Sequence, residues 1–299
     1  MRSSLAITAV IPAFHPNPAR FAKVLSALAP QCDRLVVVDN GGARGIAAEA
    51  SDQVGVALEI LGDGNNLGVA AAQNLGVRRA LETGAEAVLF MDQDSVAHPD
   101  MVEHLTEALQ HLISRGCRVA ACGPRYHEPD SLHLSSFVRA GVFRLAHVLP
   151  SAGQRSVACD FLISSGMLVP AETLRAVGEM EERLFIDHVD TEWCFRAKRV
   201  GYGYHGVQAA LMEHELGRNR KKIWLGRWRQ VPDYQPERLY YLARNTLWLA
   251  RRSYIPPACK QHLLTRLAGF AFLGLLLRQD RRHRFQEIRR GIREGFQNL

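Results

Sequence analysis

Asp92 and Asp94, in Asp92-Gln93-Asp94-Ser95, follow the apolar run AVLFM at 87–91. Two carboxylates two positions apart at a strand end can both turn toward one hard cation and the diphosphate it carries. Acidic residues also cap helices, and Asp94 or Ser95 could do only that. Asp39-Asn40-Gly41-Gly42 follows LVVV at 35–38. It reads either as a turn or as a nucleoside site, with Asp39 accepting from the imide N–H of uracil or thymine. Asn65-Asn66-Leu67-Gly68 and the following Ala-rich stretch with Gln73 and Asn74 are helix-start chemistry whose amides could also contact substrate. Asp187, Asp190 and Glu192 precede or flank Trp193. A carboxylate there could act as a general base, or the group could be an N-cap with an acidic first turn. His214, between two glutamates, is either structural or a metal ligand.

These residues need elements to hold them. Residues 5–11 (LAITAVI), 35–38, 54–61 and 87–91 are apolar, β-rich runs. Helical spacing follows at 19–29, in the Ala-rich 69–81 and near 99–114. Continuous apolar strands alternating with helices predict a mostly parallel sheet covered on both faces. Ligands of such sheets lie in the crevice beyond the strands' carboxyl ends, where Pro12, Asp39 and Asp92 fall. Past residue 115 the pattern predicts a strand at 119–122, irregular or short β at 125–158, strand and turn at 160–169, and a helix over 191–200. Residues 216–236 read as a basic loop, and 237–252 and 259–298 as amphipathic helices split by Pro256-Pro257.

The chain has 299 residues, is 47% hydrophobic and carries a net +7. Residues 218–299 hold 19 Lys or Arg against 5 Asp or Glu, a net +14, which leaves −7 for the first 217. Basicity is therefore a property of the tail, and the acidic part holds the candidate chemistry. That distribution argues against a nucleic-acid partner and for lipid surfaces or diphosphates near the tail. Six cysteines without a C-x-x-C pair, and no signal-peptide pattern, suggest a reducing cytosolic setting.

Six ordered blocks then carry a resemblance: I-P-x-F at 11–14, V-V-D-N-G at 37–41, N-x-G-x-A-x-A-x-N-x-G at 66–76, D-Q-D-S at 92–95, S-S-G-M at 164–167 and D-x-E-W-C-x-R-A-x-x-x-G-Y at 190–202. The chain resembles family 2 glycosyltransferases. With Tyr240-Tyr241-x-x-Arg244-Asn245, the wording looks like the rhamnosyltransferase branch. The resemblance implies an α/β GT-A catalytic domain over 1–217, with a basic helical extension over 218–299. It implies inverting transfer with Asp190 as base, and donor contacts from Pro12, Phe14, Asp39, Asn66, Gln73, Asp92 and Arg244. Asp94 and His214 would ligate a divalent metal (Mg2+ or Mn2+), and Ser165, Gly166, Glu192 and Trp193 would lie on the acceptor side. Val189 stands where the family has Glu, which makes Asp187 a rival base. Lys221, Lys222, Arg227 or Arg244 would help hold the diphosphate.

The implied donor is dTDP-L-rhamnose and the implied acceptor a lipid-linked glycan on the cytoplasmic membrane face. Alternatives are another UDP- or dTDP-sugar, or a noncatalytic nucleotide-sugar scaffold. The stretch LLTRLAGFAFLGLLL at 263–277 is short for a spanning helix. It suits an anionic bilayer interface, or packing on the catalytic domain or a second subunit of a homo-oligomer.

Overall fold

The computed structural model describes residues 5–297 except 130, 132, 142–143, 216–219, 225–227 and 277–279. Side chains of 52–53, 216–232 and 273–279 also lie outside the described set. The first half alternates strictly: β1 (Ile7–Ala13), α1 (Pro18–Leu28), β2 (Arg34–Asp39), α2 (Arg44–Val54), β3 (Ala57–Leu61), α3 (Gly68–Glu82) and β4 (Ala87–Phe90). These strands pair in parallel in the order β3-β2-β1-β4. Period-2 alternation divides their side chains between two buried faces. Val10, Val36, Val38, Val88 and Phe90 pack with Ala70, Ala72, Val77 and Ala80 of α3. Ala9, Ile11, Leu35, Val37 and Leu89 pack on the opposite face with Phe21, Val24, Leu25 and Leu28 of α1. Burial on both faces is why the strands read as unbroken apolar runs.

The second half is mixed. It contains β5 (Val96–Ala97), α4 (Met101–Ser114), β6 (Val119–His127), β7 (Phe137–Ala140), β8 (Leu145–Val148), β9 (Ser156–Cys159), β10 (Leu168–Pro170), α5 (Ala171–Val177), a 3-10 turn at Glu182–Leu184, α6 (Val189–Arg199) and β11 (Gly203–Glu213). β10 enters the sheet antiparallel between β4 and β6, while β11 runs parallel to β6. β7 and β8 form a separate hairpin.

Three sequence expectations change. No helix was expected over 44–54, because its buried apolar side chains amount to Ala47 and Val54, too few to print a periodicity; its start is set by Asp39, described below. The basic loop expected over 216–236 contains an antiparallel hairpin, β12 (Arg220–Trp224) with β13 (Trp228–Pro232). The single helical segment expected over 259–298 is two helices, α8 (Pro257–Leu276) and α9 (Arg281–Phe296), preceded by α7 (Pro236–Ala250).

The compositional boundary near 217 is not a packing boundary. Trp248, Leu249, Ile255, Cys259 and Leu263 share one core with Leu184, Trp193 and Tyr204. A smaller cluster of Leu239, Leu242, Ala243, Leu267 and Ile288 joins α7, α8 and α9. Among the described residues no helix is long and apolar enough to cross a membrane.

Candidate active site

Parallel pairing brings the carboxyl ends of β1, β2 and β4 to one edge. Ala13 lies opposite Asp39, and Val10 opposite Phe90, so the Phe14 turn, the Asp39 turn and Asp92 leave the sheet side by side. Phe14 and Gln93 tie two of these turns together. The Phe14 amide donates to Gln93 Oε1 at 2.6 Å, and Gln93 Nε2 donates back to the Phe14 carbonyl at 3.0 Å.

β11 delivers His214 to the same edge. Its end pairs with β5, Glu213 opposite Val96, which sets His214 beside Ser95. Ser95 Oγ lies 2.6 Å from His214 Nδ1, fixing the ring by one nitrogen as partner groups orient metal-binding imidazoles. One ligand atom each from Asp92, Asp94 and His214 falls within 4.8 Å of the others. Two carboxylates and an imidazole form a donor set that Mg2+ or Mn2+ accepts. Burial, with Asp94 and Asp190 nearby, pushes the Asp92 carboxyl up to about 7. Burial also lowers the His214 imidazole, against the opposing pull of Asp94. Carboxylates crowded into a shielded space repel one another, and a divalent cation fits the charge this cluster assembles. Arg20 braces the arrangement, its Nε donating to the Asp94 carbonyl at 2.9 Å and its guanidinium pairing with Glu213.

Asp190 sits in the first turn of α6. Its Oδ1 accepts from the Thr191 amide at 2.7 Å. Burial raises its pKa, outweighing the amides of Thr191 and Ser164 that lower it. Asp187 is differently placed: Arg238 Nε reaches Oδ2 at 3.1 Å and Nη2 reaches Oδ1 at 2.9 Å, a two-pronged pair that engages both carboxylate oxygens. The backbone ahead of Asp190 is strained. Phe185, Asp187 and His188 have φ of 64°, 60° and 66°, and each such non-glycine conformation costs on the order of 1–3 kcal/mol.

The remaining predicted residues divide. Asp39 is buried; its Oδ1 accepts from the Gly41 and Ala43 amides and its Oδ2 from the Arg44 amide. It thus caps α2, and three amides leave roughly one lone-pair position of about four for a ligand. Phe14 is exposed, Pro12 half-buried, and Asn66 exposed with its Oδ1 bonded to Asn40 Nδ2 and the Gly68 amide. Gln73 is buried in α3, with no partner for its Oε1 among the described residues.

Four expected acceptor-side residues face inward instead. Ser165 is buried and its Oγ accepts from the Asp92 amide. Gly166, at φ 79°, stands where a Cβ would lie 2.4 Å from Pro124. Trp193 is fully buried, its indole donating to the Gly178 carbonyl at 2.8 Å. Glu192, equally buried, pairs with Arg196 and accepts from Tyr254 Oη. Together they support the site from behind.

Arg244, expected among the donor contacts, is buried, and its guanidinium bonds the Arg183 and Leu184 carbonyls and Asn245 Oδ1, so as placed its Nε and Nη2 brace the segment ahead of Asp190. Arg227 and the side chains of Lys221 and Lys222 lie outside the described residues. Gln93, Arg20, Arg238 and Asn245 went unforeseen as supports, because each acts across a long stretch of chain that spacing does not report. Gln93, inside D-Q-D-S, and Asn245, the last residue of the Tyr240 to Asn245 motif, carried a signal.

With this geometry in place, comparisons bear on its identity. The family model described as glycosyltransferase like family 2 matches residues 5–231. The chain is 33% identical over 253 residues to a dTDP-rhamnosyl transferase, RfbF, of Shigella flexneri, covering 84% of this chain and 81% of that protein. It is 29% identical over 297 residues to the galactofuranosyltransferase GlfT1 of Mycobacterium tuberculosis, covering 94% of each. Among solved structures it superposes on GalNAc-T7 with UDP, GalNAc and Mn2+, at a TM-score of 0.59 and 10% identity, over 88% of this chain but only 54% of that one. It also superposes on S. aureus TarS 1-349 in complex with UDP, at 0.54 and 15%, over 93% and 75%. At such identities the two structures speak for the fold alone. A GT-A-like α/β fold, the ordered blocks and a sequence match across most of the chain agree: the protein is a glycosyltransferase and belongs to glycosyltransferase family 2, near its rhamnosyltransferases.

Proposed function

We propose that this enzyme transfers L-rhamnose from dTDP-L-rhamnose to a lipid-linked glycan with inversion at the anomeric carbon. The observation that carries the chemistry is the convergence of Asp92, Asp94 and His214 within 4.8 Å, with Asp190 close enough to raise the Asp92 pKa. The rhamnosyl donor rests on the 33% identity to a dTDP-rhamnosyl transferase.

In this reading Asp190 accepts the proton of an acceptor hydroxyl as that oxygen bonds the anomeric carbon. The bond from that carbon to the diphosphate oxygen breaks, and dTDP leaves. Its raised pKa matches a base working nearer neutrality than a free carboxylate. Asp94 and His214, with Asp92, would hold a divalent cation, which would supply charge neutralisation for a departing diphosphate. Asp39 and the Phe14 turn hold the thymidine end, and Asn66 and Gln73 lie along the donor side. A base and a leaving-group stabiliser on opposite sides of the sugar would suffice for one displacement without a covalent intermediate.

The acceptor side is a membrane surface on the cytoplasmic face. Phe285, Ile292 and Phe296 are exposed on α9 at spacings of seven and four, among exposed Arg281, Arg282, Arg289 and Arg293. An apolar stripe flanked by arginines suits an anionic interface.

A second donor reading, a UDP-activated furanose, is favoured by the 94% mutual coverage with GlfT1. A panel of UDP- and dTDP-sugars decides between them, scored for nucleotide diphosphate release with membrane extract as acceptor, with and without chelator. Chelator-sensitive release from dTDP-rhamnose alone is the expected result. Release from UDP-galactofuranose alone overturns the donor assignment, and release indifferent to chelator overturns the metal.

A further inference from the structure

The segment that precedes Asp190 takes most of its side-chain hydrogen bonds from one helix far along the chain. Asn245 in α7 is wholly buried. Its Nδ2 donates to the carbonyls of Leu184 at 2.8 Å, Ile186 at 2.7 Å and Asp187 at 3.1 Å, while its Oδ1 accepts from Arg244 Nε at 3.0 Å. One amide group thereby pins three carbonyls of a segment in which Phe185, Asp187 and His188 occupy the left-handed region. A conformation so sparsely populated persists only where its surroundings over-determine it.

Neighbouring contacts agree in direction. Thr246 Oγ1 lies 3.0 Å from His188 Nε2, and Tyr241 stacks on the Phe185 ring at a centroid distance of 4.7 Å. From the opposite side the Val69 amide at the start of α3 donates to the Phe185 carbonyl at 2.6 Å. Gly68 permits that approach, since a Cβ there would lie 2.5 Å from the Phe185 ring. α7 is itself braced: Gly291 and Gly295 of α9 press against the backbone at Tyr240 and Arg244.

We propose that Asn245 is a positioning residue for catalysis, its side-chain amide fixing residues 184–187 so that α6 starts where Asp190 reaches the acceptor hydroxyl. The inference rests on the reading of Asp190 as base. The bonds of the Asn245 side chain go to the segment ahead of Asp190 and to Arg244 rather than to Asp92, Asp94 or His214, so its removal is expected to act through the placement of that segment.

The test is Asn245→Ala in the full-length enzyme, alone and combined with Asp190→Asn. It reads the rate of dTDP release from dTDP-rhamnose with membrane extract as acceptor, and dTDP affinity by calorimetry. Alone, Asn245→Ala lowers the maximal rate by about 30- to 100-fold, the cost of a small misplacement, while dTDP affinity stays within about twofold. In the Asp190→Asn background the same change lowers the residual rate by less than about twofold, because residues acting as a unit are not additive. An equal loss in both backgrounds, an unchanged rate in Asn245→Ala, or a parallel loss of dTDP affinity overturns the inference while leaving Asp190 in place. A fully active Asp190→Asn enzyme removes the base assignment itself and the inference with it. If Asn245→Ala does not fold, Thr246→Val, which keeps the bulk and removes only the hydroxyl on His188, carries the same comparison with a smaller expected loss of about fivefold.

Discussion

Two acidic turns flank this site and are built in opposite ways. The Asp39 turn is local: its carboxylate binds amides two, four and five residues ahead. The loop leading to Asp190 takes its partners from residues 51 to 61 positions away, through Arg238, Arg244 and Asn245. A carboxylate satisfied by the amides that follow it can be in place as soon as its own turn forms. A loop that borrows its hydrogen bonds exists in its working shape only when α7 is docked. The Asp39 turn is therefore insulated from the C-terminal helices, and the Asp190 loop is not.

The largest test of that contrast is Asp190→Asn. Loss of a general base costs about 10²- to 10⁴-fold, and transfer is expected to fall in that range while dTDP affinity by calorimetry holds. Asp187→Asn breaks the pair with Arg238 and is expected to cost about tenfold by loosening the loop. Should the greater loss fall on Asp187, the roles of the two carboxylates exchange.

The cluster of Asp92, Asp94 and His214 is tested next. Asp94→Asn removes a ligand charge, and metal-dependent release is expected to fall about 10²-fold. In the wild type, protons compete with the cation for Asp92, whose pKa is pushed up to about 7. Below that value the carboxyl holds its proton and the apparent metal affinity weakens. Above it the affinity levels off. Metal titrations across that range read the sign directly, and a flat profile removes Asp92 from the binding set.

The same contrast explains what the sequence made legible. Asp39, Asp92 and Asp94 end strands whose apolar runs are unmistakable, so their common edge followed from parallel pairing. His214 stands out between two glutamates, its ligand role comes from the resemblance, and its placement depends on β11 pairing with β5, a contact over more than a hundred residues. Ser165, Glu192 and Trp193 lie in two of the blocks that carry the family resemblance, which implies the acceptor side for them. Their inward orientation comes from packing against Met91, Arg196 and Gly178, which motif wording does not encode. Arg244 and Asn245 stood out as a motif, but a motif does not say whether its amides face ligand or chain. α2 was invisible because its boundary is written by the Asp39 cap rather than by hydrophobic spacing.

A smaller effect is expected at the local turn. Asp39→Ala leaves the amides of Gly41, Ala43 and Arg44, in the turn and at the start of α2, without their acceptor and is expected to cost about 1–2 kcal/mol of stability, the range of a lost helix cap. Chemical denaturation checks this, and a raised KM for the donor at unchanged maximal rate shows that the carboxylate also meets the nucleoside. A fall in the maximal rate alone would place Asp39 nearer the chemistry and blur the two turns.

The smallest and most specific test falls on His188. Burial pushes its imidazole down to about 4 from an ordinary 6.5. Between those values the unfolded chain binds a proton that the folded loop refuses, so folding becomes less favourable as pH falls from 6.5 toward 4. At most about 2 kcal/mol of pH-dependent stability is expected from this one group, allowing for its partial exposure. His188→Gln keeps a polar partner for Thr246 and does not titrate. Its denaturation midpoint is therefore expected to change less than that of the wild type between about pH 7 and about pH 4.5. Parallel midpoints would mean that the imidazole ionises as it does in water. The loop would then be open to solvent in the native state, and the firm remote clamp that separates it from the Asp39 turn would not hold.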